Sequence, residues 1–323
     1  MNARSMKPGP LPERPVIAVV GAGAVGGYYG LRLARAGFEV RFLLRGDYEA
    51  VVSNGWRVRS VAGDFDMPPG STRVFRDPSA IGRADLVVVT LKATANEDLG
   101  RLVGPLVGEG TAILTLQNGL GSEETLAEQF GAERVMGGLA FVCINRTAPG
   151  VIEHLSHGLV KLGDFVGGDT PRARQVSGWF RAAGIECEVL KSVAEGRWEK
   201  LVWNIPFNGL GALLDAPTDR LVGCDAGLRL VRGLMDEVVR IAASAGVSLP
   251  PDLPEFHIRR TVKMGAYQTS MQIDRRMGRP LEIEAILGRP LKIAQINSID
   301  APLLGMLYDL LSIVNIGKDI RVP

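Results

Sequence analysis

The sequence has few of the residues that build disulfide frameworks or histidine metal sites. It holds three cysteines and three histidines in 323 residues, and no Cys-x-x-Cys pair. An odd, unpaired set of cysteines argues against a disulfide scaffold and favours a reducing compartment. We expect no metal site, and we interpret the cysteines as small core residues and the histidines as structural or surface residues: Cys143, Cys187 and Cys224, and His154, His157 and His257.

Charge of one sign and long apolar runs are also lacking. Lysine and arginine total 37 against 35 acidic residues, a formal net charge of +2, so a nucleic-acid partner is not expected. No segment reaches the roughly 18 uninterrupted apolar residues of a membrane helix. The proline- and arginine-rich stretch Met1–Pro15 lacks the apolar centre of a secretory signal, and residues 1–14 are interpreted as a disordered lead. These features predict a cytoplasmic protein that does not bind membranes.

Strand and helix patterns alternate along the first half of the chain. Composition is that of a globular protein, with 46% apolar and 22% charged residues, and the length suggests two domains. Buried-strand patterns alternating with helices predict a doubly wound parallel sheet of Rossmann type. The predicted strands are Val16–Val20, Phe38–Leu44, Ala84–Leu91 and Ala112–Leu116, with helices at Val25–Ala36 and Ala95–Val107 and edge strands at Leu139–Val142, Val151–Leu155 and Leu159–Gly163.

Strand patterns disappear after about Leu190, and helical periodicity takes over. The predicted helices of this part are Glu195–Leu214, Gly227–Ala245, Pro254–Thr269 and Ala301–Val314. The chain is therefore predicted to be α/β, with a Rossmann domain at residues 15–190 and an all-helical domain for substrate binding and dimerisation at residues 191–323.

A glycine-rich motif joins the first predicted strand to the first predicted helix. The motif fits G-x-G-x-x-G. The first glycine permits a tight turn, the second lets the backbone approach a pyrophosphate, and the third allows the helix to pack closely on the strand. A match in this strand–turn–helix position predicts a dinucleotide site formed by Gly21, Ala22, Gly23, Ala24, Val25 and Gly26.

Charged and amide side chains follow the other predicted strands. Arg45 stands just beyond the second strand, where an NAD enzyme usually has a carboxylate. A guanidinium can pair with a 2′-phosphate, so the sequence favours NADP. Lys92 and the sequence Gln117-Asn118 follow the next two strands, where they could contact cofactor phosphate, ribose and nicotinamide. Each of these side chains could also be an ordinary solvated loop residue.

Lys200, Asn204 and Asn208 recur every four residues and share one helix face. From this pattern alone, the stripe could be a set of ligands or a polar outer surface. Ser270, Asp274, Glu282 and Glu284 form a later polar group that the pattern alone indicates is solvated.

The ordered motifs resemble those of the ketopantoate reductase (2-dehydropantoate 2-reductase) family over roughly residues 16–314. They are GAGAVG at Gly21, TLK at Lys92, QNGLG at Asn118, WEKLVWN at Lys200, SMQID at Ser270 and GRPLEIEAI at Glu282.

The resemblance implies roles for individual residues. Lys200 matches the proton-donating lysine, and Glu282 matches a catalytic glutamate near the nicotinamide ribose and the substrate. Asn118 matches an asparagine that contacts both cofactor and substrate, and Arg45 and Lys92 match cofactor-binding positions. Three further residues match substrate-binding positions: Asn204, Asn208 and Ser270.

The resemblance also implies NADPH as cofactor, a 2-keto acid substrate and a homodimer. Tyr267 and Thr218 stand where some members have substrate-binding asparagines, and Gly209 replaces a common proline. These departures leave the particular 2-keto acid open. Two rivals remain: a related dehydrogenase of the hydroxyisobutyrate or glycerol-3-phosphate type, and a non-catalytic NADPH-binding regulator.

Overall fold

The structure, a computed structural model, describes residues 10–315 and forms two compact units. The first unit comprises the chain up to Gln117 together with Ser122–Val193. The second comprises Asn118–Gly121 and the chain from Ala194 onward. A four-residue loop from the first half of the sequence thus belongs structurally with the second unit.

The first unit is built on one ten-stranded sheet. Its strands are β1 (Val16–Val20), β2 (Glu39–Leu43), β3 (Trp56–Ser60), β4 (Phe65–Met67), β5 (Arg73–Phe75), β6 (Ala84–Val89), β7 (Val107–Thr115), β8 (Val135–Ala148), β9 (Val151–Asp164) and β10 (Cys187–Val189). The order is β4-β3-β9-β8-β7-β6-β1-β2-β5, with β10 beside β9. Among the strands of the described residues, only the pairs β8–β9 and β3–β4 are antiparallel. The helices are α1 (Ala24–Arg35), α2 (Tyr48–Asn54), α3 (Leu99–Val103), α4 (Ser122–Phe130) and α5 (Pro171–Ala182).

Both faces of the central strands are buried. In β1, Ile17 and Val19 belong to one hydrophobic cluster, while Ala18 and Val20 belong to another. Successive side chains of a strand point to opposite faces, so a continuous apolar run requires cover on both sides. This confirms the doubly wound α/β sheet predicted from the sequence.

The predicted edge strands are wrong in position. The stretches 139–142, 151–155 and 159–163 form one long hairpin, β8 and β9, in which β8 lies between β7 and β9, and β9 also pairs with β3 and β10. The helix predicted at 95–107 is also wrong in length. Only α3 is α-helical there, with 3₁₀ turns on either side, and Pro105 lies in the second of these turns.

The described residues of the second unit form helices joined by loops, with no strand among them. It contains α6 (Val193–Leu214), α7 (Thr218–Val222), α8 (Asp225–Ser244), α9 (Leu253–Met264), α10 (Ser270–Arg276), a π-helical segment (Glu284–Gly288), α11 (Arg289–Ile296) and α12 (Pro302–Asn315). Its core consists of apolar side chains from these helices, among them Leu201, Ile205, Leu234, Val238 and Leu304. The all-helical second half is therefore confirmed for the part of the chain that the structure describes.

Two further expectations need correction. Cys224 is exposed at the start of α8, whereas Cys143 and Cys187 are buried as expected. Leu11, which falls within the predicted disordered lead, is buried and exchanges hydrogen bonds with Gln175 of α5. Residues 1–9 of that lead lie outside the described residues. None of the helices described between residues 10 and 315 is long and apolar enough to cross a membrane.

Candidate active site

The glycine motif forms the turn between β1 and α1. Gly21 has a φ of +97°, and a Cβ there would lie 2.6 Å from the backbone nitrogen of Leu91. A Cβ on Gly26 would lie 2.2 Å from Oγ1 of Thr90, which donates a hydrogen bond to the carbonyl of Gly21. Gly23 differs, because a Cβ added there would lie 3.9 Å from its nearest neighbour, the carbonyl oxygen of Gly21. The outer two glycines are required by the fold, while the space beside Gly23 is open to a ligand.

The N-terminus of α1 suits an anion. Its first turn has no acidic residue, and Gly23, the capping residue, supplies no side-chain hydrogen bond. The first backbone N–H groups of a helix lack partners within the helix, and its dipole favours negative charge there. This turn can therefore bind a pyrophosphate in the way the sequence predicted.

The carboxyl end of β2 presents an arginine to solvent. Arg45 is exposed and makes no hydrogen bond or ion pair with any residue in the described range 10–315. The acidic residue nearest in sequence, Asp47, is buried and accepts hydrogen bonds from Arg146 and from the N–H of Gly150. The negative charge of Asp47 is therefore compensated, and the Arg45 guanidinium is open to an anionic ligand.

A chain of amide and hydroxyl groups follows β6 and β7. Lys92 is exposed three residues beyond β6, at the start of a 3₁₀ turn. Gln117 is buried, accepts a hydrogen bond from Thr115 and donates one to Asn96 over 2.8 Å. Asn96 in turn donates to Ser122. Sequence reasoning missed Asn96, because a single amide in a loop carries no motif.

Lys200 and Asn118 meet within the second unit. Nζ of Lys200 on α6 donates a hydrogen bond to Oδ1 of Asn118 over 2.8 Å. Burial, together with the like charge of Arg197 one helical turn earlier, lowers the pKa of Lys200 to about 7, and Glu282 opposes this shift. A lysine with a pKa near 7 can exchange a proton at neutral pH, unlike an ordinary lysine.

The two asparagines that follow Lys200 on α6 are both buried, so this stripe is not an outer surface. Oδ1 of Asn208 lies 3.4 Å from Oγ of Ser270, which donates to it, and 3.3 Å from the N–H of Met271. The amide of Asn204 makes no hydrogen bond to any of the residues described, although the side chain is only 4% exposed. An almost buried amide without a protein partner is poised to bind a ligand.

The later polar group divides into buried and exposed members. Glu282 is 5% exposed and interacts electrostatically with Lys200. Asp274 is also buried and forms an ion pair with Arg279 over 3.0 Å. Of this group, only Glu284 is exposed; its carboxylate accepts a hydrogen bond from the hydroxyl of Tyr308. The solvated interpretation is therefore wrong for Asp274 and Glu282.

The chain is similar to known proteins along most of its length. The family model "Ketopantoate reductase PanE/ApbA" matches residues 17–167, and the model of its C-terminal domain matches residues 192–315. The chain belongs to the ketopantoate reductase family. It is accordingly an oxidoreductase with NADPH as cofactor, and the glycine turn and Arg45 fit that cofactor.

Individual relatives of this ketopantoate reductase family member cover nearly its whole length. A 2-dehydropantoate 2-reductase from Nostoc sp. is 43% identical over 92% of this chain and 94% of its own. The crystal structure of a 2-dehydropantoate 2-reductase from Geobacter metallireducens is 48% identical, with a TM-score of 0.89 over 92% of this chain and 98% of its own. A dimeric ketopantoate reductase from Staphylococcus aureus, 20% identical with a TM-score of 0.79 over 93% of this chain and 98% of its own, shares the fold.

Two of the three departures from the family pattern, Thr218 and Tyr267, lie side by side. The N–H and Oγ1 of Thr218 bond with the carbonyl and N–H of Tyr267, over 3.0 and 3.1 Å. The ring of Tyr267 lies 6.3 Å from that of Trp203, which is on α6. The substitutions at these two positions therefore concern one local contact.

Proposed function

We propose that this protein reduces 2-dehydropantoate to pantoate with NADPH, as a step of pantothenate synthesis. One observation carries the assignment of the chemistry: the Lys200 ammonium, with its lowered pKa, is hydrogen-bonded to Asn118 and faces the charge of Glu282. The similarity to 2-dehydropantoate 2-reductases over more than nine-tenths of the chain supports the substrate.

The glycine turn from Gly21 to Gly26, with Arg45 and Lys92, would hold the phosphate-bearing part of NADPH. The resemblance in sequence assigns Asn118 and Glu282 to its nicotinamide side. When bound, it supplies a hydride to the ketone carbon of the substrate. The remaining steps belong to side chains of the second unit.

Lys200 provides the proton and the positive charge. The ketone oxygen gains an electron pair as the carbonyl bond is reduced, and an N–H bond of the Lys200 ammonium breaks to protonate that oxygen. Before transfer, the same ammonium stabilises the developing negative charge. The neutral amine then regains a proton from water.

The amide groups orient the substrate. Asn118 fixes the direction of the Lys200 ammonium, and the unpaired amide of Asn204 binds substrate oxygens. The Ser270 hydroxyl donates its proton to Asn208, so the side-chain N–H groups of Asn208 and the lone pairs of Ser270 Oγ are left for the substrate. Glu282 favours the protonated form of Lys200, because its carboxylate raises the pKa of that lysine.

The test is NADPH oxidation with a panel of keto acids: 2-dehydropantoate, pyruvate, 2-oxoisovalerate and hydroxypyruvate. We expect the highest kcat/KM with 2-dehydropantoate. A higher kcat/KM with another keto acid of the panel would assign that acid as the substrate instead. No NADPH oxidation with any of them would favour a non-catalytic regulator.

We also propose that the protein is a homodimer, as the Staphylococcus aureus relative is. A wholly apolar cleft between α6, α8 and α12 supports this, lined by Leu210, Leu213, Leu214, Leu230, Leu234, Leu303, Met306, Leu307 and Leu310. Leu214 and Met306 are more than half exposed, and burying them favours association. Sedimentation equilibrium of the wild type and of Met306→Glu should give a dimer and a monomer, respectively; a monomeric wild type would exclude the dimer.

A cytoplasmic location is proposed as well. All three cysteines are free thiols, which suits a reducing compartment. Fractionation of the producing cells, with detection of the protein by antibody, checks this; recovery from a membrane or extracellular fraction would contradict it.

A further inference from the structure

The loop that carries Asn118 is tied to the rest of the second unit through a backbone hydrogen bond. The N–H of Leu120 donates to the carbonyl oxygen of Ala285 over 2.8 Å. Ala285 lies in the π-helical segment Glu284–Gly288, three residues after Glu282. This bond therefore connects the chain segments that carry two of the proposed active-site residues.

A proline makes the Ala285 carbonyl available. In the π turn, the N–H of Arg289 bonds to the carbonyl of Glu284, five residues earlier. The next bond of that pattern would run from residue 290 to Ala285, but Pro290 has no N–H. The Ala285 carbonyl thus lacks its π-helical donor, and the N–H of Leu120 supplies one instead.

Gly119 permits the close approach that this bond needs. Its φ is +81°, and a Cβ there would lie 2.3 Å from the Ala285 oxygen and 2.4 Å from its carbonyl carbon. The preceding residue, Asn118, accepts the hydrogen bond from Lys200. The backbone contact at Ala285 is thus within two residues of the side chain that orients the proton donor.

We propose that Pro290, the Ala285 carbonyl and Gly119 form a backbone clamp that positions Asn118 against Lys200. The proposal rests on the proposed function, since it assigns positioning residues for that reaction. These residues act through Asn118 and are not catalytic themselves. π-helical turns are often found at functional sites, where the altered hydrogen-bonding pattern redirects backbone groups.

The test compares Pro290→Ala with Pro254→Ala. Both prolines are buried in the first turn of a helix of the second unit, so the two changes are matched. Pro290→Ala restores an N–H that competes for the Ala285 carbonyl. Hydrogen exchange measured by mass spectrometry should become faster at residues 118–121 in Pro290→Ala and stay as in the wild type in Pro254→Ala. This readout does not depend on activity.

Kinetics then show whether the clamp acts through Asn118. We expect Pro290→Ala to lower kcat roughly three- to tenfold, the range for loss of one hydrogen bond. The KM for NADPH should change less than kcat, because the glycine turn and Arg45 are unaltered. In an Asn118→Ala background, the same change should have no further effect on kcat.

Unchanged exchange at 118–121, or an undiminished effect of Pro290→Ala in the Asn118→Ala background, would overturn the clamp. Failure of the proposed function looks different, since the wild type itself would then not oxidise NADPH with 2-dehydropantoate.

Discussion

At the scale of single residues, Lys200 carries the chemistry of the proposed reaction. Its ammonium is hydrogen-bonded to Asn118, while burial and Arg197 lower its pKa to about 7. An acid with this pKa is both partly protonated and able to release its proton at neutral pH, which is the best compromise for general acid catalysis.

Replacing Lys200 by alanine should therefore lower kcat by about 10²–10⁴-fold, the usual contribution of a general acid. NADPH affinity should change little, because the glycine turn and Arg45 belong to the first unit. Lys200→Arg should recover little activity, since guanidinium keeps the charge but is too weak an acid. Steady-state kinetics and NADPH titration of both variants check this; a kcat for Lys200→Ala above about a tenth of wild type would exclude the assigned role.

The pKa of Lys200 also predicts the pH dependence. Ketone reduction needs the protonated lysine, so kcat for reduction should fall as pH rises through about 7. Oxidation of pantoate needs the neutral amine and should rise over the same range. Glu282 raises the pKa of Lys200, so in Glu282→Gln the fall of kcat for reduction and the rise of kcat for oxidation should both occur at lower pH. Plots of kcat against pH for reduction and for oxidation measure this. A shift of either transition to higher pH in Glu282→Gln would contradict it.

Arg45 should decide between the two nicotinamide cofactors. Its exposed guanidinium has no partner among the described residues. Arg45→Ala should weaken NADPH binding by roughly 1.5–3 kcal/mol, the range for a charged hydrogen bond, and leave NADH binding unchanged. Titration with both cofactors checks the difference, with Arg101→Ala, another exposed arginine of the same unit, as control. Equal losses for NADPH and NADH would refute the assignment.

At the scale of elements, the β1–α1 turn separates structural glycines from a ligand-facing one. Gly26→Ala should lower the free energy of unfolding by about 1–3 kcal/mol, because its Cβ would overlap Thr90. Gly23→Ala meets no such contact and should leave stability within about 1 kcal/mol. It should instead weaken NADPH binding about tenfold or more, through overpacking against the pyrophosphate. Denaturant unfolding and cofactor titration distinguish the two; full affinity in Gly23→Ala would place the pyrophosphate elsewhere.

At the scale of the whole molecule, the two units have separate hydrophobic cores. Leu304 is fully buried in the second core, and Leu304→Ala should cost about 2–5 kcal/mol of unfolding free energy. NADPH affinity measured below the unfolding transition should change little, because the glycine turn and Arg45 belong to the first unit. Loss of cofactor binding by the folded variant would show that the second core supports the nucleotide site.

The order of motifs along the chain was enough to predict the family, the α/β-then-helical fold and the residues of the proposed site. These features are local, because the sequence pattern of a strand, a glycine turn or an i, i+4 stripe lies within a short stretch of the chain. The position of β8 and β9 inside the sheet was not predictable in this way, since strand order depends on pairing between distant segments.

Only the tertiary structure decided the state of the site residues. The sequence shows a polar stripe and distant carboxylates, but burial of Glu282 and the contact of Lys200 with a loop 82 residues away arise from packing. That packing removes water from the lysine, and desolvation lowers its pKa to about 7. The sequence thus determined which chemical groups are present, and the fold determined their protonation and their partners, because both depend on solvent exposure and on neighbours remote in the chain.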